Sequence, residues 1–348
     1  MRPLPLVPED VRNGAAERRS WHRALTAKVL GKARNAFEQD VLEATWPSDK
    51  RAASILRAVS IPSTSASFPL ISPTTLLRNL APASAAMKLF AAGLEVDLGG
   101  IYSVAVPHIT PPPLAVFVAE GAPAPMLQYS VGKAVVGPLC KILFGVALSR
   151  ELQEATPSTA SGVIGAIMNA QASRSIDFAV FGSTAATSAQ PAGLLAGLTP
   201  LPPSSQSGFV AIVDDVAALA GAIADANVDP DQMIIVASPK QAVALRLMPE
   251  MPYTVLSSLA LADKTVCGFA PAAIASAFAE PAIEVSKQAV FHSEDTTPAA
   301  IVGGPPAAPA VPTRSAFQTD VIAVRCRAKA AWAVVAPGGA QLIENISW

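Results

Sequence analysis

Hydrophobic residues recur at helical steps through residues 156–182. Val163, Ile164, Ile167 and Met168, and later Phe178 and Phe181, fall three and four apart on an otherwise small or polar background. Thr156 offers an N-cap, Pro157 suits the first helical position because an N–H there would have no partner, and Gly182 is a natural stop. The pattern predicts one long helix with one apolar stripe, which must lie against other chain. Just upstream, residues 132–149 form a β-branched and aliphatic run that predicts extended structure. Residues 104–118 and 126–136 are two more strand-like runs, and Glu120-Gly121-Ala122-Pro123-Ala124-Pro125 between them is turn chemistry. Nearer the start, residues 15–44 have helix-forming composition with Trp21, Ala24, Leu25, Val29 and Leu30 on one face, and residues 83–93 form a shorter helical stretch.

Downstream of the long helix the pattern alternates between helix and strand. A helix starting at Asp214 would place Val216, Leu219, Ala220 and Ile223 on one side. Residues 233–237 read as a buried strand, and Ser238 with Pro239 opens a helix carrying Val243, Leu245 and Leu247. Residues 253–256 and 264–269 read as short strands, and 282–291 as a further one. In residues 315–335, Arg325, Arg327 and Lys329 alternate with Val324, Cys326, Ala328 and Ala330. That period of two predicts a strand with three cations on one face. Those cations suit either a solvated face or pairing with acids of another copy. Pro337-Gly338-Gly339 breaks the strand, and residues 341–348 are expected to return to the alternating region.

Composition changes the picture in one respect. The 348 residues suffice for two compact lobes, but only 15% are charged, against roughly 25% in typical soluble domains. A surface so poor in charge is expected to be covered by neighbours. Proline, at 32 residues, favours extended arms, most visibly in the Ser/Thr/Pro-rich residues 61–80 and the Pro/Ala-rich residues 297–313. The net charge of −1 argues against nucleic-acid affinity over the whole surface, although residues 1–60 carry 11 basic against 7 acidic side chains. That basic stretch suits a solvated helical arm, or contact with nucleic acid.

Candidate chemistry is sparse. Cys140, Cys267 and Cys326 are far apart and in no CxxC arrangement, so reduced thiols are expected rather than disulfides or a zinc site. His22, His108 and His292 stand alone, without ligand partners at metal spacing. Asp214 and Asp215 read as helix N-terminal charges before they read as a metal pair. No GxSxG, P-loop, GxGxxG or HExxH sequence occurs, and Ser149 and Ser238 sit where a strand end or a cap explains them. No catalytic, cofactor or metal residue is therefore assigned. Uncharged runs are broken by Pro and Gly, and the first residues lack an apolar secretory core, so a soluble intracellular product without a membrane span is expected.

A particular order of features carries a resemblance. An extended run leads to Ser149-Arg150-Glu151-Leu152, the long helix with Asp177 and Gly182, then Gln190-Pro191-Ala192-Gly193-Leu194-Leu195. Far downstream come Ile283-Glu284-Val285-Ser286-Lys287 and residues 317–337. Over roughly residues 115–337 this resembles the major capsid proteins of tailed bacteriophages, the Hong Kong ninety-seven family. The resemblance implies an α+β fold with these parts: a basic helical segment (1–60), an N-arm (61–100), an extended hairpin (101–140), a peripheral domain with a spine helix (141–200), an axial domain (201–280), closing strands with a Pro/Ala insertion (281–337) and a return to the axial domain (338–348). It implies self-assembly into hexamers and pentamers of an icosahedral virion shell around double-stranded DNA, formed in the bacterial host cytoplasm. Scaffold, portal and decoration proteins are implied as further partners, with DNA on the inner face and no membrane. Val118-Ala119-Glu120-Gly121 resembles the hairpin tip, so Glu120 and Lys133, with Arg325, Arg327 and Lys329, are the expected inter-subunit residues. Some relatives join a hairpin lysine to a neighbour's asparagine with help from a glutamate. Here Lys133 matches the lysine, but Asp320 and Ala328 stand at the other two places, so a non-covalent shell is expected. Two alternatives stand beside this one: a bacterial nanocompartment shell of the same fold, and a soluble α/β hydrolase using His108 or His292 as base.

Overall fold

A computed structural model describes residues 9–34, 36–60, 81, 83–98, 101–109, 117–118, 131–149, 157–249, 251–291, 302–303, 308–309 and 314–348. Glu120, nearly half of the expected hairpin, the linker 61–80, residues 150–156 and most of the Pro/Ala insertion lie outside the described residues. The chain divides into two interleaved units, one from residues 1–80, 142–172 and 280–328, the other from 81–141, 173–279 and 329–348.

In the first unit the chain opens with three helices, α1 (Glu9–Arg34), α2 (Glu38–Thr45) and α3 (Lys50–Ser60). These are not a solvated arm. Trp21, Leu25, Val29 and Leu30 of α1, Leu42 of α2 and Ile55 and Leu56 of α3 are all buried, and Ile283 lines a small void with several of them. The expected apolar face is correct, but it closes on α2, α3 and Ile283 instead of facing water. Asp49 locks α1 to α3. Its carboxylate accepts from Ala52 N at 3.0 Å, Ser20 Oγ at 2.9 Å and Arg23 at 2.8 Å. Burial pushes this carboxyl up, but the Ala52 N–H, Arg23 and Ser20 outweigh burial and hold it below its ordinary range.

The long helix, α5 (Pro157–Val180), follows β4 (Cys140–Ser149). Its buried positions include Ile164, Met168, Ala172, Ile176 and Val180 in four-residue steps, with Gly165, Ser173 and Asp177 beside them, while Val163, Ile167 and Phe178 are exposed. The predicted stripe was therefore displaced: Ile164, Met168 and Phe181 are buried as expected, and Val163, Ile167 and Phe178 are not. A helix stacks residues four apart on one face, and small residues such as Ala172 take part in burial without registering as hydrophobic signal. In the first unit, Gly165 of α5 lets His22 of α1 approach: a Cβ at Gly165 would lie 2.6 Å from the imidazole, and Asn169 Nδ2 lies 2.7 Å from His22 Nε2.

The second unit is built on a four-stranded sheet in the order β14-β7-β5-β6. These are β5 (Ile234–Ala237), β6 (Thr254–Ser257), β7 (Val266–Phe269) and β14 (Ala340–Ile343). Residues of β5 and β7 are buried throughout, so alternation vanishes there because both faces are covered. Gly268, opposite Ile235, faces α6 (Gly208–Asp225). A Cβ on Gly268 would lie 3.3 Å from Leu219 Cβ, so the missing side chain allows close helix packing. Leu245 of α7 (Pro239–Arg246) joins the same cluster with Ile223 and Ile343. On the opposite face, Phe269 meets Phe181, which directly follows α5, at 5.8 Å between ring centroids. Residues 340–343 pair with β7, the expected return to this sheet.

Two expectations at this sheet are corrected. Helix α6 begins at Gly208, well before Asp214, so Asp215 is not an N-terminal helix charge. It is buried, and accepts from Ser204 N and Trp348 Nε1, each at 2.7 Å. Ser238 does not cap α7 with its side chain but donates to Gln241, and Val243 and Leu247 are exposed instead of packed.

A second sheet runs β1-β8-β13-β4, formed by β1 (Leu94–Glu95), β8 (Ile274–Ser286), β13 (Val321–Val334) and β4, and two short antiparallel pairs join β9 (Val290–Phe291) to β12 (Arg314–Ser315) and β10 (Val302–Gly303) to β11 (Ala308–Pro309). The antiparallel hairpin of β2 (Val104–Ile109) and β3 (Val131–Val136) is anchored in the second unit by Val136, which packs with Leu98, Ala275, Ala277, Ala331 and Val335.

Candidate assembly interface

The end of α5 is fixed by the chain that follows it. Gly193 N donates to Thr184 O at 3.0 Å, Leu194 N to Val180 O at 2.7 Å, and Trp332 Nε1 to Ala192 O at 2.8 Å. A Cβ on Gly193 would sit 1.9 Å from Gly182 O, so two glycine backbones touch where any side chain would separate them. This contact is the physical content of the Gln190-Pro191-Ala192-Gly193 sequence. Leu194 and Leu195 are then buried beside it.

Asp177, which sequence reasoning treated only as a matching position, is the hub of this unit. It is buried, and its carboxylate accepts from Ser84 Oγ, Ala86 N at 3.0 Å, Ala85 N at 3.2 Å and Ser258 Oγ at 2.9 Å. It thereby caps α4 (Ala85–Ala92) and ties in the loop after β6. An acid in an apolar stretch, two residues after Ser175 and four before Phe181, was the signal available in the sequence. Phe90 of α4 packs on Trp332 and Phe278, at 5.9 and 5.6 Å between centroids.

The expected inter-subunit residues are placed as follows. Lys133 lies on β3 opposite Pro107 and is exposed. On β13 the period of two is observed: Val324, Cys326, Ala328 and Ala330 are buried, and Arg325, Arg327 and Lys329 are exposed. Arg325 pairs with Glu284 of β8, within its own chain. Arg327 and Lys329 have no ion pair among the described residues. Ala328 is a buried methyl with no proton-accepting atom.

All three cysteines are free and buried; burial pushes the Cys326 thiol up to about 12 and raises Cys267 and Cys140 as well. Among the described residues no group of three or more His, Cys, Asp or Glu could hold a metal, and no helix is long and apolar enough to cross a membrane. His22 is held below its ordinary value by burial and then by Arg18, although Asn169 opposes this. The side chain of His108 and all of His292 lie outside the described residues. What the described surface offers instead is apolar area: Phe209, Val210, Val213, Val243, Leu247, Leu259 and Phe317 are all exposed.

Neither a protein-family model nor a curated protein matches the sequence. Solved structures do. A chain of Microbacterium phage Oxtober96 is 12% identical over 84% of this chain and 98% of its own length, with a TM-score of 0.52. A chain of Mycobacterium phage Bobi is 12% identical over 85% and 98%, with the same TM-score of 0.52. The capsid of an empty GTA particle aligns at 15% identity over 82% and 95%, with a TM-score of 0.49. On the first two, the chain has the Hong Kong ninety-seven-like α+β fold of phage major capsid proteins.

Proposed function

We propose that this chain is a major capsid protein that assembles into hexamers and pentamers of an icosahedral, non-covalent shell around double-stranded DNA. The observation that carries the reading is a fold shared over 84% of this chain and 98% of a phage chain. Exposed apolar side chains and a charged fraction of 15% fit a subunit whose surface is completed by copies. Phage-specific partners such as scaffold, portal and decoration proteins, and a location in the virion, belong to the same reading.

A nanocompartment shell would share this fold, and the cargo separates the two. The α/β hydrolase reading needs a largely parallel sheet, whereas β7 runs antiparallel to both β5 and β14. The test is electron microscopy of the expressed full chain, with nucleic acid measured in particles purified from phage-producing cells. Closed shells carrying DNA are expected. A dispersed monomer overturns the proposal, and DNA-free shells holding enzyme cargo favour the nanocompartment. Boiling in SDS should release a single band near the monomer mass, and a ladder of covalent oligomers would contradict the non-covalent reading.

A further inference from the structure

Two helices of the second unit carry outward faces that no described residue covers. On α6 the exposed positions are Phe209, Val210, Val213, Ala217, Ala218, Gly221 and Ala224, interrupted only by Asp214 and Asp225. Among the described residues nothing beyond its own turn of helix comes within 4 Å of where a Cβ on Gly221 would be, so no described packing accounts for it. On α7 and just beyond, the exposed positions are Lys240, Val243, Arg246 and Leu247, with Leu247 79% exposed. The charges are segregated: α6 carries only acids and α7 only bases. Both helices cover one face of the sheet, α6 over β14 and β7, α7 over β5 and β6, so the two patches lie over opposite halves of it.

From this geometry we infer that α6 of one copy docks against α7 of the next, head to tail. The inference rests on the shell reading above and names the surface that would join copies within a ring. Two different, complementary patches on opposite halves of a lobe make a heterologous contact, which closes into rings when the rotation per copy divides a full turn. Apolar groups of both helices are buried between copies: Phe209 and Val213 are one turn apart on α6, as Val243 and Leu247 are at α7. The flat Ala217–Gly221 stretch permits close backbone approach. Asp214 and Asp225 face the Lys240 and Arg246 side, which sets the direction of docking. Within the chain Asp214 accepts from Ser204, Lys240 pairs with Asp263 and Arg246 donates to Val255 O, so Asp225 is the acid of α6 with no partner of its own among the described residues.

The test uses full-length protein in two variants, Phe209→Glu with Val213→Glu, and Val243→Glu with Leu247→Glu. All four positions are exposed, so both variants should keep the far-UV circular dichroism of the wild type. Each alone is expected to stay monomeric. Mixed, they have one intact α6 and one intact α7 patch between them, and should form a 1:1 dimer by sedimentation but no shell. Either variant assembling like the wild type overturns the inference, as does a mixture of folded variants that gives no dimer. A second pair guards against misfolding: Asp225→Lys should weaken assembly by at least tenfold in the concentration required, and adding Arg246→Glu should recover most of it. No recovery, or no effect of Asp225→Lys, also overturns the inference. If the wild type itself forms no shell, the shell reading fails instead.

Discussion

Single side chains decide more here than their number suggests. Asp177 satisfies two backbone N–H groups and two hydroxyls in a buried site, so its removal strands several donors at once. Asp177→Ala should lower stability by about 3 kcal/mol, and Ser258→Ala by about 1, read from denaturant midpoints at unchanged slope. His22 gives a pH signature. Its folded pKa lies below the ordinary 6.5, so the unfolded chain binds the proton more readily, and stability present above 6.5 is lost as pH falls through the folded value. The melting temperature should drop between pH ~7.5 and ~5, and His22→Gln should flatten that slope. Asp49, also depressed, acts lower, losing its contribution as pH falls below 3.8. The role of His22 was not legible in the sequence, because it becomes informative only when Gly165 and Asn169 are brought to it from far along the chain.

Elements were more legible than residues. Helix α5 was readable from its Pro start, its Gly stop and its period, and β13 from its alternation, because both patterns follow from backbone geometry alone. The start of α6 was missed because its first turn, Gly208-Phe209-Val210, puts apolar groups outward, where a pattern reader expects polar ones. The cations of β13 were left between two roles, and the structure divides them, with Arg325 paired internally to Glu284. Both partners are about half exposed, so Glu284→Gln should cost less than about 1 kcal/mol, measured by thermal melting at low and high salt. A larger loss, insensitive to salt, would show that this pair does more than a surface ion pair does.

At the scale of the whole chain, the fold was readable from the order of its motifs, although 12% identity to solved relatives leaves little sequence to align. The three cysteines play no part in that order. Cys267 and Cys326 should resist a thiol reagent in the native protein and react only on unfolding, and rapid labelling of either in native protein would contradict their burial.

The two units take turns along the chain, each needing segments from before residue 142 and after residue 279. A ribosome therefore cannot release one finished body and then begin another, and both stay incomplete until the closing strand has been translated. Truncation at any internal point should yield two unfinished halves for proteolysis, not one stable fragment. In the proposed shell, that arrangement would keep defective subunits out of a lattice in which a single bad tile spoils its neighbours.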